Sequence, residues 1–469
     1  MDAPRLCDLL KKVVDGLIDH AISIVSYACD GTEVERAVQK LFLNLCSLRH
    51  VTIKSPRLGC KDTIITYGIY WHQAICMVQD SKHALKTLRN NLFSGARLLV
   101  LGNYPAMYLH ILHISQGNGT PLYSRDVTKV DRQDDNAAVR LFSADVLKYL
   151  ADNHPDYVGE IVYLFVFGEL IDAYQNRSMQ HLERIKLVLR AKYFLDSWEA
   201  FLMACKYRKD RYFISREAAD ILHFIINGFL ALVIIHRDHV PGRVPLLPWL
   251  HSSEACEHVF GEARHVIKDF SYLDFVYMIP KLRVKLHEAV LRGKSSDPKA
   301  RASGYSHSYF DHEGLNLLAL STYPSDADIG LASQDAAEEA TSLVTLLGVN
   351  PDFLHTQNAQ LPSVNSWLKD PHETPDFASD SSDLESNDEE SDDDEESEAQ
   401  QLQNLLDEEE SSPITRTQRV DERCLNLTSA ALALAADEAA IVLVNILLDS
   451  DMIYKTYNHN LQTTILCHR

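Results

Sequence analysis

Apolar and polar positions recur along this chain with two different periods, and the order of those periods is informative. Over residues 1–20, Leu6, Leu9, Leu10, Val13, Val14, Leu17 and Ile18 return every three to four positions, the spacing of a helix with one apolar face. Residues 21–28 (AISIVSYA) are β-branched and aromatic instead and run into Cys29-Asp30-Gly31, which reads as a strand halted by a turn. Thr32 stands where a helix N-cap belongs, with Glu33 and Glu35 in the first turn of a helix over 33–47. A second apolar run, 74–78 (AICMV), ends at Gln79-Asp80. Ser81 can cap a helix that continues through Lys82, His83, Leu85, Leu88 and Leu92. The first hundred residues therefore read helix–strand–helix–strand–helix, the alternation of an α/β unit.

Beyond Tyr104 the strand signal fades. Residues 134–153, 155–175, 180–207 and 215–236 carry helical period, and Pro241, Pro245 and Pro248 form a rigid connector after them. Two further helical stretches cover 251–269 and 272–292, with Pro280 as a break in the second. Residues 295–335 read as loop and 336–347 as a short helix. Residues 424–449, rich in Ala and Leu, read as a final helix suited to packing or self-association, so a homo-oligomer is one expectation.

Composition changes this picture in one place. The chain of 469 residues has a formal charge of −21, but 19 Asp and Glu and no Lys or Arg lie between Asp370 and Thr415, which leaves −2 for the remainder. The charge thus reports one segment, predicted to be a disordered acidic linker, and does not exclude nucleic-acid binding elsewhere. The longest strongly apolar stretch, Ile221 to Ile235, is interrupted by His223, Asn227 and Gly228. It falls short of the roughly 18 residues a membrane span needs, and the reading is a buried helix. The N-terminal residues, MDAPRLCDLLKK, lack the basic start and unbroken apolar run of a secretory signal. Nine cysteines, scattered and without a Cys-x-x-Cys pair, argue against a disulfide framework or a zinc module and for a reducing compartment.

Three acidic landmarks could carry chemistry. Asp30 and Asp80 each end a predicted strand, and Glu254 and Glu257 lie three residues apart on one helical face. Carboxylates at strand ends and on a later helix can converge on one sheet edge and hold Mg²⁺, a hard cation that takes oxygen ligands. Two such ions about 3.5–4 Å apart can activate a nucleophile and stabilise a leaving oxygen in phosphodiester cleavage. Each landmark also has an ordinary reading: a turn for Asp30, a helix N-terminus for Asp80, solvated charges for Glu254 and Glu257.

The words around these residues resemble a known family. SSEACEHVFGEARHVIKDFSYLDF, with Glu257, Phe260, Gly261 and Arg264 in a Glu-x-x-Phe-Gly-x-x-Arg arrangement, resembles the catalytic-helix region of eukaryotic DNA transposases. The likeness is to the P element and hAT-like group and to transposon-derived proteins expanded in fungi. QDSKHALKTLRNN resembles that family's Asp-x-x-His-x-x-Lys-x-x-Arg-Asn segment, and SYACDG its strand ending in a catalytic Asp-Gly. The segments occur in the family's order and span roughly residues 20–295.

The resemblance implies a ribonuclease H-like α/β sheet that carries an Asp, Asp, Glu triad, with a large all-α insertion before the last catalytic helix. The implied layout is 1–104 as the N-terminal part of that sheet domain, 105–250 as the insertion and 251–295 as the catalytic-helix part. A loop-rich segment over 296–369, the acidic linker over 370–415 and a helical C-terminal segment over 416–469 would follow. Asp30 and Glu257 become the catalytic, Mg²⁺-binding pair, and Asp80 and His83 become structural neighbours of the site. The family's first catalytic Asp lies on a strand upstream of the Asp-Gly strand, whereas only a helical pattern precedes Asp30. The expectation is therefore an N-terminally truncated, incomplete ribonuclease H-like fold, ancestrally cutting and joining DNA but inactive. The alternative is a non-catalytic helical protein that keeps the scaffold for DNA or protein contacts.

DNA contact needs local basic surface, because affinity comes mainly from neutralised phosphates. Lys82, Lys86 and Arg89 beside Asp80, and Arg264, Lys268, Lys281, Arg283 and Lys285 after Glu257, are the first candidates. The series Arg184, Lys186, Arg190 and Lys192 and the run KYRKDR at 206–211 are further ones, the latter compatible with nuclear import. A nuclear DNA-binding protein, without membrane or small-molecule partner, is the resulting expectation.

Overall fold

The computed structural model describes residues 2–56, 61–128, 130–292, 315–351 and 354. Most of them are helical, around a small mixed sheet of four strands. The acidic segment 370–415 and the segment 416–469 lie outside the described residues.

The chain opens with helix α1 (Ala3–Asp19), capped by Asp2, whose side chain accepts from the Arg5 N–H. Strand β1 (Ser26–Cys29) follows, then α2 (Glu33–Asn44). Thr32 and Glu35 close a capping box at the start of α2, each satisfying a backbone N–H the helix leaves free. Strands β2 (Ser47–Ile53), β3 (Thr63–Tyr70) and β4 (Gln73–Gln79) then form an antiparallel meander. β4 also pairs in parallel with β1, so the sheet order is β1-β4-β3-β2. Helix α3 (Ser81–Phe93) leaves the end of β4.

The meander corrects the sequence reading, which passed from the helix at 33–47 directly to the strand at 74–78. β2 is an edge strand with mostly exposed residues, so its apolar alternation is faint. The first strand is also shorter than the apolar run 21–28, beginning only at Ser26.

β4 is buried on both faces. Ile75 and Met77 meet Val38 and Phe42 of α2 and Val14 of α1, while Ala74, Cys76 and Val78 face a much larger helical core. A hairpin, β5 (Leu99–Leu101) and β6 (Tyr104–Ala106), leads into that core. It comprises α4 (Tyr108–Ser115), α5 (Ser124–Thr128), α6 (Asp135–Leu141), α7 (Ala144–Asn153), α8 (Val158–Gln175), α9 (His181–Ala204), α10 (Lys209–Tyr212) and α11 (Arg216–Asp238). The stretch 134–153, read as one helix, is two: Ser143 caps α7 by accepting from the Val146 N–H.

α8 is apolar on nearly every side and is buried accordingly. α11 lies directly on β4. A Cβ at Gly228 would stand 2.7 Å from the Met77 carbonyl oxygen, so only glycine lets the helix come this close. Asn227 beside it takes the Thr66 N–H of β3 at 2.8 Å and donates to the Thr66 carbonyl at 2.9 Å. α11 is long and apolar enough by composition to cross a membrane, and 78% of its most apolar window is buried inside the fold.

A 3₁₀ turn (Pro248–Leu250) brings the chain back to the sheet, where α12 (Glu254–Val266) and α13 (Tyr272–Arg292) form a hairpin. α13 runs through Pro280 without stopping, which corrects the expected break; the proline is on the exposed side. Helices α14 (Leu317–Leu320) and α15 (Asp326–Leu346) complete the described chain. α15 packs along α9, and the Asn103 N–H donates to the Leu347 carbonyl at 2.9 Å. Residues 326–335, expected as loop, belong to α15, which Ser325 and Asp328 start with a second capping box. One apolar cluster runs from Ile53 through α8, α9 and α11 to Leu354, so the core continues across the boundary drawn at 104.

Candidate metal centre

Cys29 and Gln79 are partners in the parallel register, so Asp30 and Asp80 leave neighbouring strands at the same edge of the sheet. The Asp80 N–H donates to the Cys29 carbonyl at 2.8 Å, extending the ladder to the last residue before each turn. The turn after Asp30 requires Gly31: its φ is +95°, and a Cβ there would lie 2.4 Å from Gln79 Oε1.

Asp80 is 2% exposed and fully engaged. Its Oδ1 accepts from the Lys82 and His83 N–H groups at 2.7 and 3.3 Å, capping α3. Its Oδ2 accepts from the Ser253 N–H and hydroxyl at 2.9 and 3.0 Å. A carboxylate offers about four acceptor positions, and all are taken. Asp80 thus holds the first turn of α12 against the N-terminus of α3 and has no oxygen to spare for a metal. Lys82 reinforces the joint through an ion pair with Glu254 at 2.9 Å. Just upstream, partly buried His251 and the Ser26 hydroxyl of β1 hydrogen-bond at 2.7 Å, and desolvation pushes the His251 imidazole down to about 3.

The joint delivers Glu257 to the sheet edge. Its Oε1 lies 3.1 Å from His83 Nε2 and 3.3 Å from the Ser253 hydroxyl oxygen, whose single proton faces the nearer Asp80 Oδ2. His83 Nε2 is also 3.7 Å from Asp30 Oδ1, a buried atom with no hydrogen-bond partner. One ligand atom each from Asp30, His83 and Glu257 lies within 4.8 Å of the others, the one such group among the described residues. Burial would depress the His83 imidazole, but the Glu257 hydrogen bond and the Asp30 charge together raise it. The His83 hydrogen bond in turn lowers the Glu257 carboxyl against the opposing effect of burial. The three residues can therefore hold a divalent cation.

The sequence reading paired Asp30 with Glu257, and the structure brings them together. It placed His83 next to the site, whereas the imidazole stands between the two carboxylates. The Asp-x-x-His spacing held the signal, because a residue three positions past a capping Asp returns to the same end of the helix. Ser253 and His251 were missed; serine and histidine before a helix carry no distinctive pattern.

The expected DNA-contact residues divide. Arg89 is 1% exposed and ends on the Asp131 and Asp134 carbonyls, which ties α3 to the start of α6. Lys86 is buried against Asp135 at 3.0 Å, and Lys82 is spent on Glu254. A cation enclosed with its counter-charge cannot neutralise a phosphate, which gives Lys86 and Arg89 structural roles, whereas Lys82 keeps about a third of its side chain exposed. A structural role also holds for Arg184, which is enclosed among the carbonyls of Ala173 in α8 and of Asn176 and Met179 in the connection to α9, and for Arg190, which with the partly exposed Lys186 faces Glu339 of α15. Lys192 pairs with Asp196 on its own helix. Arg264 and Lys268 are exposed, as are Lys281 and Arg283 on α13.

Comparison with known proteins adds no relative: the chain matches no protein-family model, no curated protein and no solved structure.

Proposed function

We propose that this chain is a transposase-derived protein on a ribonuclease H-like scaffold, in which cleavage is lost and a DNA-facing surface is kept. The observation that carries the reading is the meeting of Asp30 and Glu257, 227 positions apart, at the end of a parallel strand pair. The intervening helices α4–α11 have the place and size of the family's insertion. The Asp80 contacts also fit a positioning role rather than a metal-binding one.

The residues present do not fit a two-Mg²⁺ centre. Two like-charged ions close together need several carboxylates between them. Asp30 and Glu257 supply two, His83 is wedged between them, and the oxygens of Asp80 are occupied. No catalytic step is therefore derived through such a centre. The purified protein is expected to leave supercoiled plasmid intact in Mg²⁺ and in Mn²⁺. Nicking that disappears in both Asp30→Ala and Glu257→Ala would overturn the loss of cleavage.

The proposed DNA-facing surface is the α12–α13 hairpin, and the exposure of Arg264, Lys268, Lys281 and Arg283 supports it. Duplex affinity should fall with salt, each phosphate contact contributing about 0.9 to the log–log slope. The double variant Arg264→Glu/Lys268→Glu should reduce that slope by about 2 if each residue meets one phosphate. An unchanged slope would remove these residues from the interface. One observation favours a protein partner as the second reading: Leu273, Val276, Tyr277 and Val284 are exposed on α13, Tyr277 by 76%.

A further inference from the structure

We propose that Asp30, His83 and Glu257 bind one borderline divalent cation, Zn²⁺ in preference to Mg²⁺, and that the ion clamps α12 to the sheet. The inference uses the same three residues as the function proposed above but does not depend on the chain's ancestry.

The ligand set points away from magnesium. Mg²⁺ takes oxygen ligands and gives up its water reluctantly, whereas imidazole favours zinc and its neighbours. Zinc bound by three protein groups keeps water in its fourth position. Bonds of roughly 2.0–2.1 Å in a tetrahedron place neighbouring donor atoms about 3.3 Å apart. His83 Nε2 lies 3.1 Å from Glu257 Oε1 and 3.7 Å from Asp30 Oδ1, on either side of that spacing. All three donors lie within 4.8 Å of one another, so Asp30 and Glu257 close around an ion by side-chain rotation.

Two observations beyond the cluster support a built site. Asp30 Oδ1 is buried without a hydrogen-bond partner while facing the other two ligands. An unpaired buried acceptor is costly, and a cation would satisfy it. The surroundings are also arranged as they are behind metal ligands: Asp80 accepts from the backbone N–H groups of both Ser253 and His83 and so fixes the segments that carry Glu257 and the imidazole. Glu257 is about half exposed, so the ion has a route from solvent.

The consequence is mechanical. α12 and α13 have an apolar cluster of their own, Ala263, Met278 and Leu282, separate from the main core. The side-chain ties Asp80–Ser253, Lys82–Glu254 and His83–Glu257 between the start of α12 and the sheet edge are polar. An ion held by the end of β1, the first turn of α3 and the first turn of α12 would replace the weakest of these ties with coordination bonds.

The test is Zn²⁺ titration of the chelator-stripped full chain against a chromophoric chelator, repeated in a large excess of Mg²⁺. The expected result is one Zn²⁺ site that Mg²⁺ does not displace, weakened at least tenfold in His83→Ala and in Glu257→Gln. Asp30→Asn, nearly isosteric, serves as the variant least able to disturb folding, and circular dichroism checks each one. Cys256, exposed beside Glu257, is the competing ligand, and Cys256→Ser should bind zinc normally. Unchanged affinity in folded His83→Ala, displacement by Mg²⁺, or loss only in Cys256→Ser would each overturn the proposal. The plasmid assay has a separate readout, so failure of either idea leaves the other standing.

Discussion

At the scale of single residues, the histidines divide into two groups with opposite pH behaviour. His83 is raised above 6.5 by Glu257 and Asp30 despite its burial, and Glu257 is lowered below 4.5 chiefly by His83. A raised folded value stabilises below the unfolded pKa and is lost as pH rises through the folded one; a lowered carboxylate does the reverse. Their joint contribution is therefore largest between about 4.5 and 6.5. Glu257 is half exposed, so solvent screening keeps it to about 1 kcal/mol or less. The stability difference between the native chain and Glu257→Gln, followed by urea melts across pH, should peak in that window; a flat difference would disprove the pair. His181 and His251 behave oppositely, because burial lowers them to about 4 and about 3. The unfolded chain binds their protons first, so stability should fall steadily as pH drops below about 6.5. His181→Gln should flatten that fall. Asp80 is the most committed polar residue of the site, and Asp80→Ala would strand the Ser253 N–H and uncap α3. A loss of about 2–4 kcal/mol in urea denaturation is expected, with no compensation from added cation.

At the scale of elements, close approach decides what the sequence could reveal. The contact of α11 with β4 depends on Gly228, and Gly228→Val should cost about 1–3 kcal/mol because the Met77 carbonyl belongs to a buried ladder that cannot yield. A melting temperature equal to the native one would refute this tight seat. The long helices α1, α2, α3, α8, α9 and α11 were legible because each buries one or more faces at regular spacing, as was the Thr32 cap of α2, whereas the short α4, α5 and α14 and the first turns of α15 were not. The ends of β1 and β4 were legible from Asp-Gly and Gln-Asp. The β2–β3 pairing was not: Arg49, His50 and Thr52 occupy an exposed edge strand, and its connection to β3 bears no tight-turn signature. The basic residues misled for a related reason. Arg89 and Arg190 carry the same charge as surface residues, and nothing in a linear pattern tells which will meet buried carbonyls or carboxylates.

At the scale of the whole molecule, the late segment 315–351 is part of the body rather than an appendage. Arg190 of α9 is buried between Glu169 of α8 and Glu339 of α15, and Lys186 pairs with Glu339 at 2.7 Å. Arg190→Met should cost about 3–5 kcal/mol by leaving Glu169 without its cation, Glu339 keeping Lys186, and Glu169→Gln should recover part of it. Additive costs would deny the coupling. The site shows the same long reach, since Glu257 joins His83 across 174 positions. During synthesis at about 5–20 residues per second, the ribosome needs roughly 9–35 seconds to deliver the third ligand after the second. For that interval the growing chain holds two of the three residues of the proposed cation site. Any ion must then enter last, after the helical body has folded, and newly made protein would be the form most sensitive to a chelator.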